Sequence, residues 1–189
     1  MAKVIIPLAD GFEEIEAITI VDVLRRAGID VTVAGLHSGS IEGAHRVNVV
    51  PDTTIDMITS ADFDMIVLPG GQPGSDNLNA DERVKALIRD FYLKGKLTGA
   101  ICAAPYVLAG AGILEGKKAT SYPSYSGKLG GAIYQEKTVV EDGKIMTSRG
   151  PGTAVYFALA IIERLIGREK ADAVKESMLV KDDCSQQTS

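Results

Sequence analysis

Short apolar runs recur along the chain, each closed by Gly, Pro or Asp, and between them the apolar residues fall three and four positions apart. Lys3-Val4-Ile5-Ile6-Pro7-Leu8 predicts a strand that ends before Asp10-Gly11. From Glu13 to Ala27 the spacing becomes helical, and Gly28 stops the helix. Further strands are predicted at Asp30 to Gly35, Val47 to Val50 and Phe63 to Leu68, the last halted by Pro69-Gly70-Gly71. A helix from about Asp81 to Leu93 leads into a strand at Leu97 to Ile101, and a small-residue helix from Ala103 to about Ala111 follows. The next apolar and aromatic stretch is expected to place Tyr122 on a strand. Thr138 to Glu141 and Ile145 to Thr147 then flank Asp142-Gly143 as a strand pair, before helices at Pro151 to Ile166 and Lys170 to Glu176. Strands alternating with helices predict an α/β sandwich: a mostly parallel central sheet with helices on both faces and ligands at the carboxyl ends of the strands.

The 189 residues suit one domain, expected over 1–181, with a polar tail at 182–189. With 46% hydrophobic residues, 24% charged residues and 20 glycines, the chain reads as compact and turn-rich. A net charge of -5 and the lack of a long Lys/Arg run argue against nucleic acid or an anionic membrane as an obligate ligand. Neither a secretory leader nor a membrane-length apolar stretch is visible, so a cytoplasmic location is expected. The two cysteines give no disulfide framework, and Cys184 in the tail reads as a bystander.

Cys102 stands where an apolar strand runs into a helix, in Gly99-Ala100-Ile101-Cys102-Ala103-Ala104-Pro105. Unpaired N–H groups and the positive end of the helix dipole favour a thiolate there, which makes Cys102 a candidate nucleophile; the competing reading is a core cysteine. Among the acids of the first loop, Glu13 and Glu14 fit a helix's first turn as dipole partners. Glu16 differs, because it lies above Ile20, Val23 and Ala27 on the stripe that faces the sheet. Burial there would raise its pKa and suit it to proton transfer. Gly70 and Gly71 form either an ordinary turn or a backbone nest whose N–H groups, with that of Ala103, stabilise an oxyanion beside Cys102. Arg149, ahead of Gly150-Pro151, is a candidate anchor for an anionic group, and Tyr122 would reach the same sheet edge. His37 and His45 read as surface loop residues. No dinucleotide or P-loop glycine signature is present and no spacing suits a metal, so neither cofactor nor metal is expected.

The acidic loop ending in Glu16, Arg25-Arg26-Ala27-Gly28, Leu68-Pro69-Gly70-Gly71, Ala100-Ile101-Cys102-Ala103-Ala104-Pro105 and Thr147-Ser148-Arg149-Gly150-Pro151-Gly152-Thr153 occur in this order. Together they resemble the ThiJ/PfpI superfamily, and within it the branch of the parkinsonism-associated deglycase and its bacterial relatives, from about Ala2 to Lys181. The resemblance implies a flavodoxin-like fold and a homodimer whose interface includes the first helix. It implies that Cys102 is the reactive, easily oxidised cysteine and Glu16 the protonated glutamate that hydrogen-bonds it. Gly70, Gly71 and Ala103 fall at the oxyanion positions; apart from the resemblance, Tyr122, Arg149, Gly150 and Pro151 are the candidate substrate-pocket residues. The activity implied is a cofactor-free glyoxalase or deglycase acting on methylglyoxal, glyoxal or their protein and nucleotide adducts. The alternative implied role is an oxidative-stress sensor or redox-regulated chaperone in which Cys102 becomes a sulfinate. Two departures stand out: Tyr122 replaces a histidine found near the cysteine in several members, and Val50 occupies the place of an extra cysteine. Ala103 instead of histidine after the cysteine argues against the peptidase branch.

Overall fold

The structure, a computed structural model, describes residues 1–181; Cys184 and the tail lie outside the described residues. The strands are β1 (Lys3–Leu8), β2 (Asp30–Gly35), β3 (Ile41–Glu42), β4 (Asn48–Val49), β5 (Thr53–Thr54), β6 (Met65–Leu68), β7 (Leu97–Ile101), β8 (Lys118–Ala119), β9 (Ile133–Tyr134), β10 (Val139–Asp142) and β11 (Ile145–Ser148). The helices are α1 (Glu14–Arg26), α2 (Gly74–Ala80), α3 (Glu82–Leu93), α4 (Pro105–Gly110), α5 (Ala154–Ile166) and α6 (Arg168–Ser177).

The central sheet runs β10-β11-β7-β6-β1-β2-β5. Its pairs are parallel except β10 with β11, the hairpin around Asp142-Gly143. Alternate side chains of each inner strand enter different cores, as a sheet covered on both faces requires. Val4, Ile6 and Leu8 of β1 and Met65 and Val67 of β6 join Ala17, Ile20, Val23 and Leu24 of α1 and Phe157, Ala158, Ile161 and Ile162 of α5. Ile5, Ile66 and Leu68 face the opposite core, with Val84, Ile88 and Phe91 of α3 and Val107 and Leu108 of α4. This is the sandwich the alternation predicts. Strand order reverses at β1, whose neighbours are β2 and β6, and loops that diverge at such a point leave a crevice at the carboxyl edge.

Several local expectations need correction. The strand predicted at Val47 to Val50 shrinks to β4, which pairs antiparallel with β3 outside the main sheet. The helix after Cys102 begins at Pro105 rather than Ala103, because Cys102 takes a left-handed backbone conformation and Pro105 fits a helix's first turn. Tyr122 lies on no strand; it precedes a 3-10 turn at Pro123–Lys128. Helix α2 was not expected, since Gly-Ser-Asp-Asn-Leu-Asn-Ala holds weak helix formers and one large apolar residue, Leu78, which is buried.

Candidate active site

Cys102 follows β7 directly, with φ at +64°. A left-handed conformation costs a residue with a Cβ roughly 1–2 kcal/mol, so the surrounding bonds must hold it. Cys102 N–H donates to Ser148 O at 3.0 Å, its carbonyl accepts from Tyr122 N–H at 2.8 Å, and Ala104 N–H returns to Ile101 O at 3.0 Å. The turn thrusts the half-buried thiol out of the sheet edge, and its own peptide groups tie down the segments on either side.

Glu16 comes to this thiol from α1. Its side chain is fully buried, on the same face as Ile20 and Val23, as the helical stripe predicts. Oε2 accepts from Gly70 N–H at 2.8 Å, while Oε1 has no hydrogen-bond partner. Burial pushes the Glu16 pKa up to about 7, against the opposing pull of the Gly70 N–H and the Cys102 thiol; the charge of Glu13 adds to the rise. Burial also raises the Cys102 pKa, and the negative charge of ionised Glu16 raises it further; the N–H groups of Ala103 and Gly71 act in the opposite direction. The expectation of a thiolate favoured by its helix therefore changes. With Glu16 ionised the thiol keeps its proton, and α4 is too short to outweigh a carboxylate.

Gly70 packs so closely here that a Cβ would lie 2.7 Å from both Cys102 Cβ and Glu16 Oε2. Since its N–H is committed to Glu16, Gly70 positions the carboxyl and is not a free oxyanion donor, a correction to the expected nest. Gly71, at φ +96°, and Ala103 keep N–H groups directed at the sulfur. Tyr122, Arg149, Gly150 and Pro151 come together as expected, lining one shallow depression with Pro123, Gly152 and Thr153. Arg149 makes no ion pair or hydrogen bond among the described residues. His37 pairs with Asp10 at 2.8 Å and His45 with Glu14 at 2.9 Å; both histidines are exposed and neither serves the thiol.

Glu14 does more than complement a dipole, because its carboxylate also accepts from His45 N–H at 2.6 Å and pins the 43–47 loop. Glu13, Glu14 and His45 thereby place three possible ligand atoms within 4.8 Å of one another, a grouping invisible in sequence spacing. The Glu14 bonds to His45 account for it as an ion pair. A polar group beside the thiol also escaped the sequence reading. Gln72 Nε2 donates to Tyr125 Oη, Tyr106 Oη donates to Asp76 Oδ1 at 2.7 Å, and the Tyr106 and Tyr125 rings pack at 5.6 Å between centroids. The available signals were the place of Gln72 directly after the Gly70-Gly71 pair and of Tyr125 one turn beyond Tyr122.

The architecture agrees with comparisons to known proteins. The model of the DJ-1/PfpI family matches residues 2–164. Protein dj-1beta of Drosophila melanogaster is 48% identical over 176 residues, covering 92% of this chain and 94% of that protein. Glutathione-independent glyoxalase DJR-1.2 of Caenorhabditis elegans is 37% identical over 175 residues, covering 92% of each. The crystal structure of Drosophila melanogaster DJ-1beta superposes with a TM-score of 0.91 at 46% identity, covering 96% of this chain and 99% of that one. With its flavodoxin-like sandwich and five ordered motifs, the chain belongs to the DJ-1/PfpI family.

Proposed function

We propose that the protein is a cofactor-free glyoxalase that converts small 2-oxoaldehydes to 2-hydroxy acids, with Cys102 as nucleophile and Glu16 as the proton carrier. The observation that carries this reading is the fully buried Glu16 carboxyl, raised to about 7 and packed with Cys102 around Gly70. As the sulfur attacks, the thiol proton passes to ionised Glu16, and the charge that develops on sulfur is faced by the Ala103 and Gly71 N–H groups. Sulfur then bonds to the aldehyde carbon, and the carbonyl electron pair moves onto oxygen beside those two N–H groups. Protonated Glu16 returns its proton to that oxygen and, ionised again, takes the proton from the carbon and delivers it to the neighbouring carbon through an enediol, while the hydroxyl proton passes to the neighbouring oxygen, giving a thioester. Water cleaves the thioester, releasing the 2-hydroxy acid and the thiol. The relative named as a glutathione-independent glyoxalase supports this class of reaction. Adducts of the aldehyde on proteins or nucleotides feed the same site once they release free aldehyde.

The substrate pocket in this reading is the depression formed by Tyr122, Arg149, Gly150 and Pro151, with unpaired Arg149 available to the carboxylate product. The proposal extends to a homodimer built on α1, supported by Ile15 and Ile18, which leave 57% and 43% of their surface exposed. The test is lactate formation from methylglyoxal without glutathione, in wild type, Cys102→Ser and Glu16→Gln. Turnover lost in both variants supports the reading. A fully reduced wild type that makes no lactate refutes it for this substrate and favours the oxidation-sensor role.

A further inference from the structure

Two segments flank Cys102, and a hydrogen bond between them closes the ring around the thiol. Gly71, whose N–H faces the sulfur, is followed directly by Gln72. On the other side, Tyr122 hangs from the Cys102 carbonyl and Tyr125 N–H bonds back to Tyr122 O at 2.9 Å. Gln72 Nε2 joins the segments by donating to Tyr125 Oη. In a turn whose other residues are exposed, Tyr125 alone is half-buried, and it lies close enough for the Cys102 charge to act on its hydroxyl.

The phenol is held on several sides. Its ring packs on Tyr106, whose hydroxyl is tied to Asp76, and Lys128 Nζ sits 4.5 Å from the Tyr125 centroid. Asp76 Oδ1, 3.5 Å from Gln72 Nε2, turns the amide so that its NH2 faces the phenol. The Tyr125 oxygen therefore receives a hydrogen bond, while its own proton has no acceptor among the described residues. A phenol whose oxygen is already an acceptor keeps its O–H to donate, and held beside a nucleophile it can offer that proton to an oxygen of a bound substrate.

We propose that Tyr125, oriented by Gln72, donates a hydrogen bond to the second oxygen of a dicarbonyl bound at Cys102, and so selects 2-oxoaldehydes over simple aldehydes. The choice of electrophile rests on the glyoxalase reading. In the adduct, sulfur bonds to the aldehyde carbon and that carbon's oxygen takes up a proton. The adjacent ketone remains a carbonyl and accepts the Tyr125 O–H. A simple aldehyde forms the same sulfur–carbon bond but offers no second oxygen.

The test reads reversible adduct formation and does not require turnover. Protection of Cys102 from iodoacetamide is titrated with excess methylglyoxal and with propanal, in wild type, Tyr125→Phe and Gln72→Leu. The methylglyoxal-to-propanal affinity ratio cancels their different intrinsic reactivities when proteins are compared. Loss of one neutral hydrogen bond lowers that ratio about fivefold in Tyr125→Phe, with propanal affinity and the unprotected alkylation rate within about twofold of wild type. Gln72→Leu, which releases the phenol, lowers the ratio as well. A ratio unchanged in Tyr125→Phe, or a parallel loss for both aldehydes, overturns the assignment. Absence of lactate formation in wild type would defeat the glyoxalase reading while leaving this ratio to decide the role of Tyr125.

Discussion

Replacing Glu16 with Gln removes an ionisable group from the core while keeping its shape and the acceptor for Gly70 N–H. The carboxyl titrates near 4.5 when unfolded and at about 7 when folded. Across that interval the folded state holds a proton that the unfolded chain has already released. Its contribution to stability is thus most favourable below about 4.5, declines as pH rises and levels off above about 7. Integrating this linkage from pH 5 to pH 8 gives a loss of roughly 2–3 kcal/mol that wild type suffers and Glu16→Gln escapes. Urea unfolding of both proteins at pH 5, 6, 7 and 8 measures it, since the titrations of groups that do not interact with Glu16 cancel in the difference. The variant should gain on wild type steadily with pH, by an amount equivalent to roughly 5–10 °C in melting temperature for a chain of this size. Parallel stability curves, or a gap that widens towards acid, would refute the claim that burial dominates Glu16.

Two other perturbations probe the packing and the surface of α1. Gly70→Ala places a Cβ 2.7 Å from both Cys102 Cβ and Glu16 Oε2, so we expect about 2 kcal/mol of destabilisation by urea unfolding, together with loss of lactate formation. A variant of wild-type stability and activity would show that the Gly70 contacts are not limiting. Ile18→Lys puts a charge on the half-exposed apolar face of α1 and should shift sedimentation towards monomer; sedimentation identical to wild type would remove α1 from the proposed dimer interface.

The layers are legible in the sequence because each buried parallel strand is a short stretch rich in apolar, β-branched or small residues: β1, β2 and β7 have the expected limits. Glu16 was legible because a lone acid interrupts an otherwise apolar helix stripe. Periodicity could not disclose β3 with β4 or β8 with β9, each two residues long and defined by a distant partner. Nor does periodicity carry the direction of a backbone N–H, so the Gly70-Gly71 pair alone does not disclose that Gly70 serves Glu16. The bonds from Gln72 to Tyr125 and from His45 to Glu14 join residues 53 and 31 positions apart, and no local pattern encodes such meetings.

The site draws on the ends of β6, β7 and β11 and the start of α1, so that Glu16, Gly70, Cys102 and Ser148 meet only after distant stretches of chain have found their register. A nascent or partly unfolded chain owns the same cysteine, but with an ordinary thiol: no left-handed turn presents it, no buried carboxyl lies beside it and no paired N–H groups face its sulfur. Chemical behaviour at one atom is thereby tied to completion of the entire sheet. Alkylation followed at Cys102 itself would therefore distinguish folded from unfolded molecules in a mixed population.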